Sequence, residues 1–196
     1  MESQTIPLHS PLELTLELTD EQFFQLCRDN RDLRFERTAS GGLIILPPTG
    51  SETGNFNIDL SYQLQSWSRQ NKHLGIAFDS STGFKLPDGT DISPDAAWVR
   101  RDRWDALTAE EKKKFAPICP DFVVELRSTT DSLEKLRAKM KVYVKNGARL
   151  GWLLDRKNRK VEISRQGREV EILDAPATLS GEDVLPGFVL DLSDIL

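Results

Sequence analysis

Phe122-Val123-Val124-Glu125-Leu126 is apolar apart from one carboxylate. A β-branched and aromatic run of this length reads as a strand buried on both faces, which points to a sheet covered by helices on both sides. The neighbouring segments agree. Asp131 or Ser132 caps an expected helix running to Asn146, with Leu133, Leu136, Met140, Tyr143 and Val144 on one face and Gly147 as its stop. Leu150 to Leu154 then returns as a strand. Burying an unpaired carboxylate is expensive, so Glu125 requires a cation, a metal or a hydrogen-bond network.

The rest of the chain supplies the other layers. Thr19 and Gln22 form a capping box for a helix from about Asp20 to Asn30. Leu33 to Arg37 and Leu43 to Leu46 flank Ala39-Ser40-Gly41-Gly42 as a hairpin. Phe56, Leu60, Leu64 and Trp67 mark a long helix from Ser51 to about Asn71. His73 to Phe78 and Asp95 to Val99 read as strands, Thr108 and Glu111 cap a short polar helix, and Lys160 to Ser164 and Glu169 to Leu173 read as closing strands. The expected fold is α/β, a mixed central sheet flanked by helices with an N-terminal helix and hairpin, in a single domain over residues 1–196.

Several function classes are excluded by composition. Cys27 and Cys119 are the only thiols and His9 and His73 the only histidines. That rules against a disulfide framework, a cysteine zinc site and a histidine-rich metal site, and largely against a Ser-His-Asp hydrolase. No run approaches the roughly 18 apolar residues of a membrane span, and Met1-Glu2-Ser3 lacks signal-peptide character, so a cytoplasmic protein without membrane partners is expected. The net charge of -5 is unevenly spread. Arg100 to Lys160 holds 17 Lys or Arg against 9 Asp or Glu, while the remainder holds 9 against 22. A basic middle can present a polyanion-binding face, although solvated helix faces explain such runs as readily.

Candidate chemistry gathers near the buried strand. Asp121, Val123, Glu125 and Arg127 alternate onto one face of it, and Asp95 follows Ser93-Pro94 at the start of another strand. Either carboxylate could instead serve a structural ion pair or a strand-end cap. Two carboxylates from adjacent strands suit a hard divalent cation such as Mg2+. Lys139 lies beside the apolar stripe of the following helix, so its stem can pack at the core boundary while its ammonium reaches the sheet. Lys135, Lys141 and Lys145 look directed to solvent.

Taken together, Ser93-Pro94-Asp95, Pro120 to Ser128, Asp131 with Lys139, Tyr143 and Gly147, and Gly151-Trp152-Leu153-Leu154-Asp155 resemble the Uma2 family. These proteins, formerly a family of unknown function (DUF820) abundant in cyanobacteria, are endonucleases of the PD-(D/E)XK, restriction-endonuclease-like class. The resemblance runs from about Leu33, through Arg34-Phe35-Glu36 and Gly42-Leu43-Ile44, to Leu185-Pro186-Gly187-Phe188.

The resemblance implies a Mg2+-dependent or Mn2+-dependent endonuclease acting on DNA. It assigns Asp95 and Glu125 as metal ligands, the main-chain carbonyl of Leu126 as a third ligand and Glu36 as an outer carboxylate. Arg127 stands where the common signature has lysine. It stays protonated and cannot be a general base, but it can bind phosphate, and Lys139 takes the lysine's part from the next helix. The histidine that many members carry near the start of the long helix is absent, with Asn55 or Asn57 nearby. Related nucleases commonly pair active sites across a homodimer, and the strands carrying Trp152 and Phe188 are the expected surface. A basic surround is expected from Arg127, Lys135, Lys139, Arg100 and Arg101. Two readings compete with catalysis: a non-catalytic nucleic-acid-binding or interaction protein, and a structural or regulatory dimer in which Glu125 pairs with Arg127 or Lys139.

Overall fold

The computed structural model describes residues 12–196; His9 and the Met1-Glu2-Ser3 start lie outside them. In chain order the elements are β1 (Leu12–Thr15), α1 (Asp20–Asp29), β2 (Arg34–Arg37), β3 (Gly42–Leu46), α2 (Ser51–Gln70), β4 (Gly75–Asp79), β5 (Phe84–Lys85), β6 (Asp91–Ile92), β7 (Ala96–Arg100), α3 (Arg101–Asp105) and α4 (Ala109–Lys112). Then come β8 (Phe122–Leu126), α5 (Leu133–Lys145), β9 (Leu150–Asp155), β10 (Lys160–Arg165), β11 (Glu171–Asp174), β12 (Thr178–Ser180) and β13 (Val189–Asp191).

The central sheet has the order β11-β10-β9-β8-β7-β4, with β8 and β9 parallel and the other neighbours antiparallel. It is mixed, as expected. Every residue of β8 is buried, because helices cover both faces. On one face α2 brings Leu60 and Leu64 onto Ala96, Trp98, Val124 and Trp152, with the C-terminal residues Leu179, Phe188 and Leu190 in the same core. On the other face α5 brings Met140 and Tyr143 onto Ala97, Val123 and Leu153. A Cβ on Gly151 would stand 2.4 Å from the Met140 side chain, so glycine lets α5 settle directly on β9. Gly147 ends α5 at φ +110°, a backbone region that L side chains rarely adopt.

The expected N-terminal hairpin is larger than two strands. β2 and β3 belong to a five-stranded antiparallel sheet, β1-β3-β2-β6-β5, whose two-residue strands β5 and β6 are too short to leave a periodic signal. Its cohesion is partly ionic. Buried Arg37 donates to Asp91 at 2.7 Å, to Asp20 at 2.6 Å and to the Leu18 carbonyl at 2.7 Å, fixing β2 against α1 and β6.

One expectation is corrected here. Trp152 and Phe188 are not a dimer surface: they are 0% and 3% exposed and stack on each other within the core, with ring centroids 6.1 Å apart. Trp152 lies on β9, an inner strand of the central sheet, and the segment carrying Phe188 folds back over that face, so both serve the core.

Candidate active site

β7 and β8 bring the acids together. Ala96 pairs with Val124 in antiparallel register, and the Asp95 N–H donates to the Val124 carbonyl at 3.0 Å, so Asp95 stands at the strand end opposite Glu125. The Asp95 carboxylate accepts from the Leu126 N–H at 2.8 Å and, at 3.4 Å, from the Asn57 amide of α2. Residues 93–95 are set by β6, which carries the chain from the five-stranded sheet into β7.

Glu125 points toward α5, where Lys139 and Tyr143, four residues apart, share one helix face. Its Oε1 accepts from the Tyr143 hydroxyl at 2.9 Å and lies 2.9 Å from the Lys139 Nζ, and its Oε2 is 3.1 Å from the same nitrogen. The ammonium is also 2.9 Å from the Glu36 Oε1 and donates to the Ser93 carbonyl at 3.0 Å. Glu36 in turn accepts from the Ser93 N–H at 3.1 Å. Lys139 thus stands between a carboxylate of the central sheet and one of the second sheet. The side chains are 17% exposed for Lys139, 9% for Glu36 and 4% for Glu125.

Three acids thus crowd one ammonium in a poorly solvated place. Burial, opposed by Lys139 and reinforced by the nearby Asp95 and Glu36, pushes the Glu125 carboxyl up to about 8. Burial also raises Asp95, against the Leu126 N–H, Lys139 and Arg34. For Lys139 burial acts against the charge, but Glu125, Glu36 and Asp95 outweigh it and hold the ammonium above its usual range. The Tyr143 hydroxyl is raised by burial and by Glu125, so it remains a donor.

The expected residues do not all meet. Arg127 is turned away from the acids: its guanidinium donates to Asp155 at 3.0 and 2.9 Å and to the Asp131 carbonyl at 3.2 Å. Asp155 is 2% exposed and also holds Asn158, so this pair closes the end of the sheet. Asp121 accepts from the Arg100 N–H at 2.9 Å and pairs with Arg103 at 3.0 Å, consistent with a strand-entry residue. The expected basic surround is corrected in its membership. Arg100 pairs with Asp102, Arg101 donates to the Lys72 carbonyl, and both sit at the end of β7 remote from Asp95; Lys135 pairs with Glu13 in solvent.

Tyr143 stands in the sequence as a member of an apolar stripe and of the family pattern, with no role assigned, although its spacing from Lys139 could have revealed a hydroxyl for a buried acid. The main chain of Ser93 and the charge of Arg34 left no such signal.

The donor set suits a hard divalent cation in its chemistry. Asp95 and Glu125 offer hard oxygens at one strand end, and the main chain of Leu126 lies beside them with its N–H on Asp95. Asn57 adds a second observation, since its Oδ1 is buried without a hydrogen-bond partner while its amide nitrogen rests on Asp95. Among the described residues no three Asp, Glu, His or Cys side chains converge closely enough to hold an ion by themselves, so the main-chain oxygen and water would complete such a set.

Residues 20–193 match the family model Uma2, whose description reads "Putative restriction endonuclease". No curated protein matches the chain. Among solved structures, a putative nuclease belonging to DUF820 from Anabaena variabilis ATCC 29413 superposes with a TM-score of 0.67 at 21% identity, covering 82% of this chain and 88% of that one. The fold is therefore shared with that protein.

Proposed function

Because the chain belongs to the Uma2 family of putative restriction endonucleases, we propose that it is an endonuclease that hydrolyses DNA phosphodiester bonds with Mg2+ or Mn2+. The observation that carries this reading is the buried Glu36–Lys139–Glu125 bridge beside Asp95. Asp95, Glu125 and the Leu126 carbonyl would hold the ion, with Glu36 outside them. When bound, the cation would supply Lewis-acid polarisation and a water of lowered pKa. The chain's own groups prepare for this. Tyr143 fixes the rotamer of Glu125, the Leu126 N–H fixes Asp95, and Asn57 presents a free oxygen at its edge. Lys139 holds a compact ammonium where negative charge builds on a phosphate under attack, and its tie to the Ser93 carbonyl aims it. Helix α5 excludes bulk solvent from this charge, which strengthens the interaction.

One observation favours a second reading, a non-catalytic nucleic-acid-binding protein that keeps the fold: every partner of Lys139 is already provided by the chain itself. A supercoiled-plasmid assay separates the two. Nicking in Mg2+ or Mn2+, none in EDTA, and loss in both Asp95→Ala and Lys139→Ala support the nuclease. Absence of metal-dependent nicking, or equal nicking by wild type and Asp95→Ala, overturns it.

A further inference from the structure

A cleft of about 470 Å³ is lined by Glu36, one end of the bridge, and by Ser93. Both residues are bonded to Lys139, and the same cleft is lined by Arg28, Arg31 and Arg34 from the end of α1 and the start of β2. Arg34 and Glu36 are two residues apart on one strand and so share a face. The Arg34 guanidinium donates to the Ser80 carbonyl at 2.9 Å, which pins it across the cleft, and its charge acts on Asp95. Arg31 donates only to the Arg28 carbonyl, at 3.4 Å. Among the described residues neither Arg31 nor Arg34 has a carboxylate within ion-pair distance, whereas Arg28 is partly neutralised by Asp29 at 3.8 Å. Two unneutralised guanidiniums beside a buried cluster of acids are an electrostatic provision for a polyanion, which the acids alone would repel.

We propose that this cleft seats the sugar-phosphate backbone of the substrate strand, with Arg31 and Arg34 each contacting a phosphate that flanks the bond delivered to Glu125 and Asp95. The proposal rests on the nuclease reading for its substrate, and it places that substrate on the α1–β2 side of the molecule rather than over the basic middle of the chain. Guanidiniums suit this task because their fork matches two phosphate oxygens at once.

The test is binding of a fluorescein-labelled DNA duplex by anisotropy in EDTA, titrated with salt, alongside plasmid nicking in Mg2+. The variants are Arg31→Ala, whose side chain is exposed, and Arg34→Gln, which keeps a donor for Ser80. The exposed pair Lys157→Ala with Arg168→Ala removes the same charge elsewhere. The log–log salt slope should fall by about 0.9 per arginine removed, which at 0.1 M salt is about an eight-fold loss of affinity each. The double variant should lose about 60-fold, by the same counterion argument, and the Lys157/Arg168 control should change little. If wild type fails to bind DNA, or if the control loses as much as Arg31→Ala with Arg34→Gln, the cleft proposal is wrong. Nicking with unchanged binding in the arginine variants would overturn the cleft and leave the nuclease reading standing. Arginine-dependent binding without nicking would support the cleft and refute catalysis.

Discussion

Replacing Lys139 by Met keeps the aliphatic stem and removes the charge that joins the two sheets. The wild-type ammonium is 2.9 Å from both Glu36 and Glu125 and bonds the Ser93 carbonyl, with a side chain only 17% exposed. Breaking a buried pair by deleting one partner costs about 3–5 kcal/mol. Residual solvent contact argues for the lower end, about 3 kcal/mol, which for a chain of this size is a fall in Tm of roughly 6–12 °C. The sign of its pH dependence comes from Glu125. With its carboxyl raised to about 8, Glu125 holds a proton in the folded chain below that pH, and without Lys139 it holds the proton still higher. The Glu125 part of the deficit should therefore widen above about pH 7, by at most about 1.4 kcal/mol per unit for a single proton. Urea denaturation in EDTA at about pH 6 and about pH 9 measures both numbers. A Lys139→Met protein that melts within about 2 °C of wild type, or whose deficit narrows as pH rises, would refute the buried-bridge argument.

Metal-free wild type should lose stability as pH rises from the ordinary glutamate value of 4.5 toward 8, because a raised folded-state pKa stabilises only while the proton is held; Glu125→Gln should show a smaller decline in a denaturation series, the raised Asp95 supplying the rest. Calorimetry at about pH 7 in buffers of different ionisation enthalpy should find protons released when Mn2+ binds wild type, and fewer for Glu125→Gln, because burial raises both Glu125 and Asp95. Tyr143→Phe should cost about 1–2 kcal/mol by leaving Glu125 one donor short, measured by thermal melting, and should shift the pH optimum of nicking. Arg127→Met should cost about 3 kcal/mol by stranding buried Asp155, yet keep most of the nicking rate of the folded fraction; a stable but inactive variant would return Arg127 to the catalytic set.

The α/β character of the chain and the unit β8-α5-β9 were legible in residue periodicity, because a strand with both faces covered must be apolar throughout and a helix beside it must show a stripe. Glu125 was legible for the same reason, as the one group that breaks the pattern. Strand ends were less so: β4 begins at Gly75 rather than His73, and β7 at Ala96 rather than Asp95. Strands β5 and β6 escaped notice because two residues have no period, yet β6 is what carries Ser93 and Asp95 to the site. Alternation placed Arg127 on the same face as Glu125, but the nearest opposite charge decides where a long side chain rests. Asp155 meets it only because β9 lies parallel to β8. Likewise Lys139, Glu36 and Ser93 lie 46 or more residues apart along the chain and meet only through the fold. Local sequence determined which elements form and which acid had to be compensated. Which cation compensates it was decided by tertiary structure, since charges choose partners by distance in space and spacing along the chain sets that distance only within one element.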